Sequence, residues 1–335
     1  MARIYFASDV HLGFPNPEES QWREHLFVNW LDSIKNDADE LYLVGDIFDF
    51  WYEYKYVIPK GFTRTLGKLA ELSDLGVKIH FFTGNHDVWA FSYLHDEVGA
   101  TLHFAPLTTE IEGKKFHIAH GDGLGPGEWS YKLLLKIFHS RTMQFLFSTF
   151  IHPNLAMRFG HWWSNSSRNG KGLVAPPYMG DNKEHIYQYA KELSAKEQFD
   201  FMIFGHRHIV VEKNINADTR FVILGDWLTN FSYGIFDGEK FEPDEDAPQI
   251  DPNKPASADD TSAKIAKAIS NNEITGKVEG AALDISDLPG ATITYNEEIP
   301  FFGKNFKAAD WKKYLGDVTI SYNGAEYTPK KVKDR

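Results

Sequence analysis

Apolar residues fall into short runs separated by longer stretches in which they recur every three or four positions. The runs Ile4 to Ala7, Glu40 to Val44, Lys78 to Phe82, Phe116 to Ala119, Phe201 to Phe204 and Phe221 to Leu224 have strand length. Each is followed within two residues by Gly or Asp. Between the first two runs, Leu26, Trp30, Leu31 and Ile34 fall at helical spacing within Gln21 to Lys35. Leu66, Leu69 and Leu72 repeat that spacing before the third run, and Glu184 to Lys196 does so before the fifth. Strands alternating with helices predict an α/β domain whose sheet is partly wound with helices.

Two regions break the rhythm. Between Gly123 and Gly180 the chain is rich in Leu, Phe, Met and Trp without a strand-like segment, which predicts a helical insertion over 124–180. Residues 244–262, including Asp244-Glu245-Asp246-Ala247-Pro248 and Asp251-Pro252-Asn253-Lys254-Pro255, read as an acidic, proline-interrupted linker. The expected organisation is a catalytic domain over 1–243, that linker, and a small C-terminal unit over 263–335. In the last unit Ala263 to Ile269 reads as a short helix, while Ala291 to Tyr295 and Val318 to Tyr322 alternate like strands.

Composition narrows the chemistry. The chain has no cysteine, so any metal must be held by His, Asp, Glu or Asn, a donor set that favours harder ions such as Mn²⁺, with Zn²⁺ or Fe also compatible. A formal charge of −12 argues against a general nucleic-acid binder. With 26 Phe, 15 Tyr and 9 Trp, the aromatic content raises the prospect of an apolar ligand. Met1 leads directly into the first strand without a charged segment and an apolar core, which reads as cytoplasmic.

The ends of five strands carry the candidate chemistry. They run into Asp9-Val10-His11, Gly45-Asp46-Ile47-Phe48-Asp49, Gly84-Asn85-His86-Asp87, His120-Gly121-Asp122 and Gly205-His206-Arg207-His208. Ligands of α/β sheets gather outside the carboxyl ends of the strands, so these segments can converge. Their residue types suit two cations about 3.5–4 Å apart, for which Asp46 is the natural bridging carboxylate. His117 competes with His120 for a place in such a site; His120 is preferred because it stands at the strand end.

This set of motifs resembles the calcineurin-like metallophosphoesterases over roughly residues 1 to 240. The resemblance implies a layered sandwich of mixed β-sheets flanked by helices, and two divalent metal ions. It implies that Asp9, His11 and His208 hold one ion, that Asn85, His120 and His206 hold the other, and that Asp46 bridges them. It further implies His86 beside the scissile phosphate, with Asp87 orienting it and Asp49 supporting the ligands from behind.

Within the family, Asp49 is followed by Phe50-Trp51-Tyr52 rather than the Arg-Gly of protein phosphatases. The segments Leu43 to Trp51, His120 to Leu124 and Leu224-Gly225-Asp226-Trp227 are more similar to a branch acting on a nucleotide-sugar lipid of the lipid A pathway. That branch implies peripheral contact with the inner membrane. Its familiar form has Arg where this chain has His86, so sugar-phosphate contacts of that Arg do not carry over.

Leu133, Leu134, Ile137 and Phe138, then Phe145, Leu146 and Phe150, form apolar stripes in the insertion. They fit either an acyl-chain lid or helices packed on the core. Asp122, Ser164, Asn165, Ser167, Arg168 and Lys171 are candidates for gripping the substrate. A general nucleotide or phosphodiester hydrolase is the alternative. A non-catalytic scaffold would tolerate missing ligands, and none is missing.

Overall fold

The computed structural model describes residues 2–127, 129–138, 140–169 and 177–244, with strand segments at 282–284, 292–295, 318–322 and 325–327. The chain divides into two compact units, Met1–Pro248 and Gln249–Arg335.

In the first unit a six-stranded sheet has the order β11-β10-β1-β2-β3-β4. Its members are β1 (Ile4–Ala7), β2 (Glu40–Val44), β3 (Lys78–Phe82), β4 (Thr101–His103), β10 (Tyr233–Phe236) and β11 (Phe241–Asp244). The first four run parallel, whereas β10 is antiparallel to β1 and β11 to β10. A five-stranded sheet has the order β5-β6-β7-β9-β8, made of β5 (Leu107–Ile111), β6 (Lys114–Ala119), β7 (Phe201–Phe204), β8 (Val210–Asn214) and β9 (Arg220–Leu224). Here β6, β7 and β9 are parallel, with antiparallel β5 and β8 at the edges.

Strand periodicity explains the layering. On β1, Ile4 and Phe6 join Val44, Phe116, Ile118, Ile203 and Val222 in a core between the two sheets. Tyr5 and Ala7, on the other face, pack with Phe27, Trp30 and Leu31 of α1 (Pro17–Ile34) and Leu69 and Leu72 of α2 (Thr63–Asp74). On the far side, Met202, Phe204, Phe221 and Ile223 meet Ile186, Tyr187 and Ala190 of α7 (His185–Ser194). Both faces of each sheet are therefore covered, which is why the central strands read as continuous apolar runs. Each fully buried large side chain contributes roughly 1.5–3 kcal/mol. The α/β expectation holds, as mixed sheets between helical layers.

A short helix α3 (Tyr93–Asp96) precedes β4. The insertion is helical, with α4 (Trp129–Phe138), α5 (Arg141–Phe150) and α6 (Pro153–Asn169). Phe138, Phe147 and Met157 pack on Phe50, Tyr52, Val88 and Trp89 beside the strand ends. Tyr52 Oη donates to Gln144 O at 2.8 Å, Tyr54 Oη to Ile151 O at 2.9 Å and Trp89 Nε1 to Phe138 O at 2.9 Å, which fastens the helices to that shelf. The stripes divide accordingly: Phe138 packs on the core, whereas Leu133, Ile137, Phe145, Leu146 and Phe150 are exposed.

The second unit contains an antiparallel meander of β12 (Ala282–Asp284), β13 (Thr292–Tyr295), β14 (Val318–Tyr322) and β15 (Ala325–Tyr327). The expected helix at 263–269 and the linker from residue 245 onward lie outside the described residues, as does Lys171.

Candidate metal centre

Because β1, β2 and β3 are parallel, as are β6 and β7, the loops bearing Asp9, Asp46, Asn85, His120 and His206 leave from the same ends of their sheets. Backbone bonds extend the ladders into those loops. Asp9 N donates to Gly45 O at 3.0 Å, His11 N to Asp46 O at 3.0 Å, and Gly205 N to His120 O at 2.9 Å. Contacts also cross between the sheets: His206 N donates to Asp9 Oδ2 at 2.8 Å, and His120 Nδ1 to Val44 O at 2.9 Å.

The local backbone is strained where the candidate ligands sit. Asp9, His11, Asp46, His206 and His208 all have positive φ, between 49° and 68°. Such conformations cost non-glycine residues of order 1–3 kcal/mol each and cluster at functional sites. Gly84 serves close approach: a Cβ there would overlap the Asp46 carboxylate and lie 2.7 Å from Asp46 N.

The ligand atoms form clusters. Asp9, His11 and His208 make one group, Asp46, His120 and His206 another, and Asp46 also groups with His11 and His86. His11 Nε2 and His208 Nε2 are 3.2 Å apart; Asp9 Oδ1 lies 3.2 Å from His208 Nε2 and 3.6 Å from His11 Nε2. Asp46 Oδ2 lies 3.2 Å from His120 Nε2 and 3.7 Å from His11 Nε2, so one oxygen faces both groups. Ligands about 2.0–2.2 Å from a common cation are separated by roughly 3.0–3.5 Å, close to these spacings. Asp9 Oδ1, Asn85 Oδ1 and His120 Nε2 are buried without a hydrogen-bond partner, a costly arrangement that a cation resolves. The residues present therefore fit divalent ions, and they are the ones the motifs had singled out.

Electrostatics follow from this crowding. Burial works against charge on Asp46, yet the imidazoles of His120 and His86 hold its carboxyl well below the usual range. Burial would depress His208, but Asp9 and Asp226 outweigh it and raise the ring to about 9. His120 is likewise raised, against its burial, by Asp46 and Asp9. Burial and neighbouring His120 push His206 down to about 3.

Neighbouring residues hold the candidate ligands. Asp49 Oδ1 lies 3.4 Å from His11 Nδ1 and accepts from Ser164 Oγ of α6 at 2.8 Å, while Asp49 O accepts from His86 Nδ1 at 2.7 Å. The expectation that Asp87 orients His86 needs correction. Its carboxylate accepts backbone N–H groups of Gly84 at 2.7 Å and Ile47 at 2.8 Å, tying two loops together, and the His86 ring is held by the Asp49 carbonyl. Burial beside Asp46 raises Asp87 to about 7.

His117 stands apart, bonded to Thr108 Oγ1 at 2.9 Å and Tyr189 Oη at 3.2 Å. Asp122 borders a pocket of about 130 Å³ that also reaches Gly84, His120 and Phe104. Arg168 lies in α6. Ser164 is buried against Asp49 instead of facing solvent. Sequence reasoning missed Arg23, whose buried guanidinium donates to His11 O at 2.8 Å and to Phe14 O at 2.8 and 2.9 Å, fixing the β1–α1 loop. A lone Arg within an amphipathic helix gives no signal of that role.

Comparison with known proteins finds relatives of one kind. A UDP-2,3-diacylglucosamine hydrolase of Porphyromonas gingivalis is 41% identical over 249 residues, covering 71% of this chain and 95% of its own length. One from Histophilus somni is 27% identical over 236 residues, covering 68% and 93%. Among solved structures, a dimetal phosphatase from Danio rerio aligns with a TM-score of 0.37 at 13% identity, over 72% of this chain and 98% of its own. The sequence profile of the calcineurin-like phosphoesterases matches residues 2–210, and the chain is a hydrolase that belongs to that family.

Proposed function

We propose that this chain hydrolyses the phosphoric anhydride of UDP-2,3-diacylglucosamine, giving 2,3-diacylglucosamine 1-phosphate and UMP, with two divalent ions, Mn²⁺ by preference. The observation that carries the substrate is the relative of that name, matched at 41% identity over 95% of its length. The observation that supports two ions is the sharing of Asp46 between ligand clusters. When bound, such a pair polarises a phosphoryl oxygen and lowers the pKa of a water molecule.

The chain's own residues do the rest. Asp46 Oδ1 accepts from His86 N at 2.8 Å, so the residue that bridges the clusters also fixes where His86 sits. A carbonyl can only accept, so His86 Nδ1 carries the hydrogen shared with Asp49 O, and the other ring nitrogen is the one offered to a phosphate oxygen. From that position His86 stabilises charge on the phosphate or delivers a proton to the leaving oxygen.

Exposed apolar groups of the insertion support a lipid substrate. Phe145 is 65% exposed, Phe150 75% and Trp162 61%, a density that marks an interaction surface. No helix among the described residues is long and apolar enough to cross a membrane, and the proposed contact with the inner membrane is a peripheral one through these exposed groups. ³¹P NMR of purified protein with Mn²⁺ and UDP-2,3-diacylglucosamine, beside soluble nucleotide diesters, tests the proposal. Appearance of UMP and the sugar 1-phosphate is expected; equal turnover of soluble diesters without a preference for the lipid would replace it with a general phosphodiesterase.

A further inference from the structure

Each histidine that coordinates a metal ordinarily has its second ring nitrogen held by a carboxylate or carbonyl, which sets the tautomer and aims the free lone pair. Two members of this centre already have such a partner: His11 faces Asp49 and His120 faces Val44 O. For His208 the geometry points to Asp226 as the positioning residue, with Asn230 fixing the backbone it acts on. This rests on the reading that Asp9, His11 and His208 hold a divalent ion.

Asp226 follows β9 and is 1% exposed. Its two oxygens share the turn unequally, with Thr229 Oγ1 at 3.1 Å from Oδ1 and 3.3 Å from Oδ2. Oδ1 accepts from Thr229 N and Asn230 N at 2.9 Å and from Leu228 N at 3.2 Å, capping the turn over 227–230. Oδ2 lies 3.2 Å from His208 Nδ1. All three backbone N–H bonds of the turn go to Oδ1, so the approach of Oδ2 to the His208 ring is not needed to cap it. Asn230 Nδ2 donates to His208 O at 3.0 Å and approaches Asp226 Oδ1 at 3.3 Å, which binds the strained His208, at φ 53°, to the same turn. The turn also reaches the other side of the cluster, since Trp227 N donates to Asp9 O at 3.1 Å. An N–H on Nδ1 directed at Asp226 leaves Nε2 as the lone-pair atom, and Nε2 is the atom that faces Asp9 and His11.

The test compares wild type with Asp226→Ser and Asp226→Asn. Serine keeps an oxygen for the turn and removes the carboxylate from the ring. Asparagine keeps the shape, but with its oxygen on the turn it presents an N–H₂ to Nδ1 and favours the tautomer that blocks Nε2. Mn²⁺ titration calorimetry on metal-free protein should show two sites in wild type. In both variants one affinity should fall by about 10–100-fold while the other changes less. In EDTA both variants should still unfold in one cooperative transition, at a Tm below wild type because the His208 ring and the turn each lose contacts with the carboxylate. A folded variant that binds both ions with wild-type affinity overturns the inference. Absence of Mn²⁺ binding by wild type would instead sink the metal reading beneath it. Wild type supplies a check that needs no variant: in Zn²⁺-loaded, ¹⁵N-histidine protein, His208 should show a proton on Nδ1, and an unprotonated Nδ1 refutes the assignment.

Discussion

Gly84→Ala adds one methyl group at the point where two ligand loops touch. That Cβ would overlap the Asp46 carboxylate and lie 2.7 Å from Asp46 N and 2.8 Å from Asp46 Cγ. Neither loop can yield freely, because Asp87 accepts both Gly84 N–H at 2.7 Å and Ile47 N–H at 2.8 Å, and Asp46 Oδ1 is bonded to His86 N. Overpacking of this kind costs about 1–3 kcal/mol. For a unit of this size each kcal/mol lowers Tm by about 2–4 °C, so a fall of roughly 2–12 °C is expected. Activity should suffer more than stability, since a displacement of about 1 Å at a reacting centre can cost about 100-fold. Calorimetric unfolding and phosphate-ester turnover would be read together. Gly67→Ala is the control: it lies in α2 with open space around it and should stabilise by about 0.4–1 kcal/mol. If Gly84→Ala keeps wild-type Tm and turnover, the close packing that fixes Asp46 is not what this account describes.

His86→Ala should lower turnover by about 10²–10⁴-fold with metal content unchanged; loss of metal in elemental analysis would make His86 a ligand instead. His208, raised to about 9 from 6.5, makes metal binding pH-dependent. Below pH 6.5 its charge stabilises the metal-free fold fully; that contribution is lost as pH rises through about 9, so Mn²⁺ affinity should climb across the same window. Calorimetry in buffers of different ionisation enthalpy should detect the released protons at pH 7.5. Phe145→Ser and Leu146→Ser, at exposed positions of α5, should weaken action on the diacyl substrate and spare a soluble diester and Tm. Each methylene removed from an acyl chain that enters the lid should cost about 0.8 kcal/mol, roughly fourfold in kcat/KM; equal losses on both substrates would make α5 structural.

What the sequence displayed was set by burial. Strands covered on both faces, such as β1 and β7, are uninterrupted apolar runs and were legible with their ends. Edge strands were not: β5 reads Leu-Thr-Thr-Glu-Ile and β8 Val-Val-Glu-Lys-Asn, half exposed and mixed with charge, so nothing separated them from loops. The start of α1 was written in Asn16-Pro17-Glu18-Glu19, where Asn16 caps Glu19 N at 2.9 Å and Pro17 opens the first turn. Counting apolar spacing alone placed it at Gln21.

The candidate ligands were legible because parallel strands deliver their ends to one place, and each end carries a possible donor. Supporting residues were less so. Asp87 adjoins His86 in sequence, yet the loop sends its carboxylate to backbone N–H groups. Asp226 stood within a recognisable Gly-Asp-Trp segment, but its aim at His208 depends on a turn that no local pattern encodes. The insertion was readable as helix, whereas its division into packed Phe147 and exposed Phe145 and Phe150 depends on a shelf supplied by Tyr52 and Trp89.

The central claim is a pair of ions sharing Asp46. Its most direct test is electron paramagnetic resonance of metal-free protein titrated with Mn²⁺, compared with Asp46→Asn. Ions about 3.5–4 Å apart through a bridging carboxylate should give an exchange-coupled spectrum at two equivalents in wild type, and the variant should lose it. An uncoupled single-ion spectrum in wild type, or coupling that survives Asp46→Asn unchanged, would contradict the account.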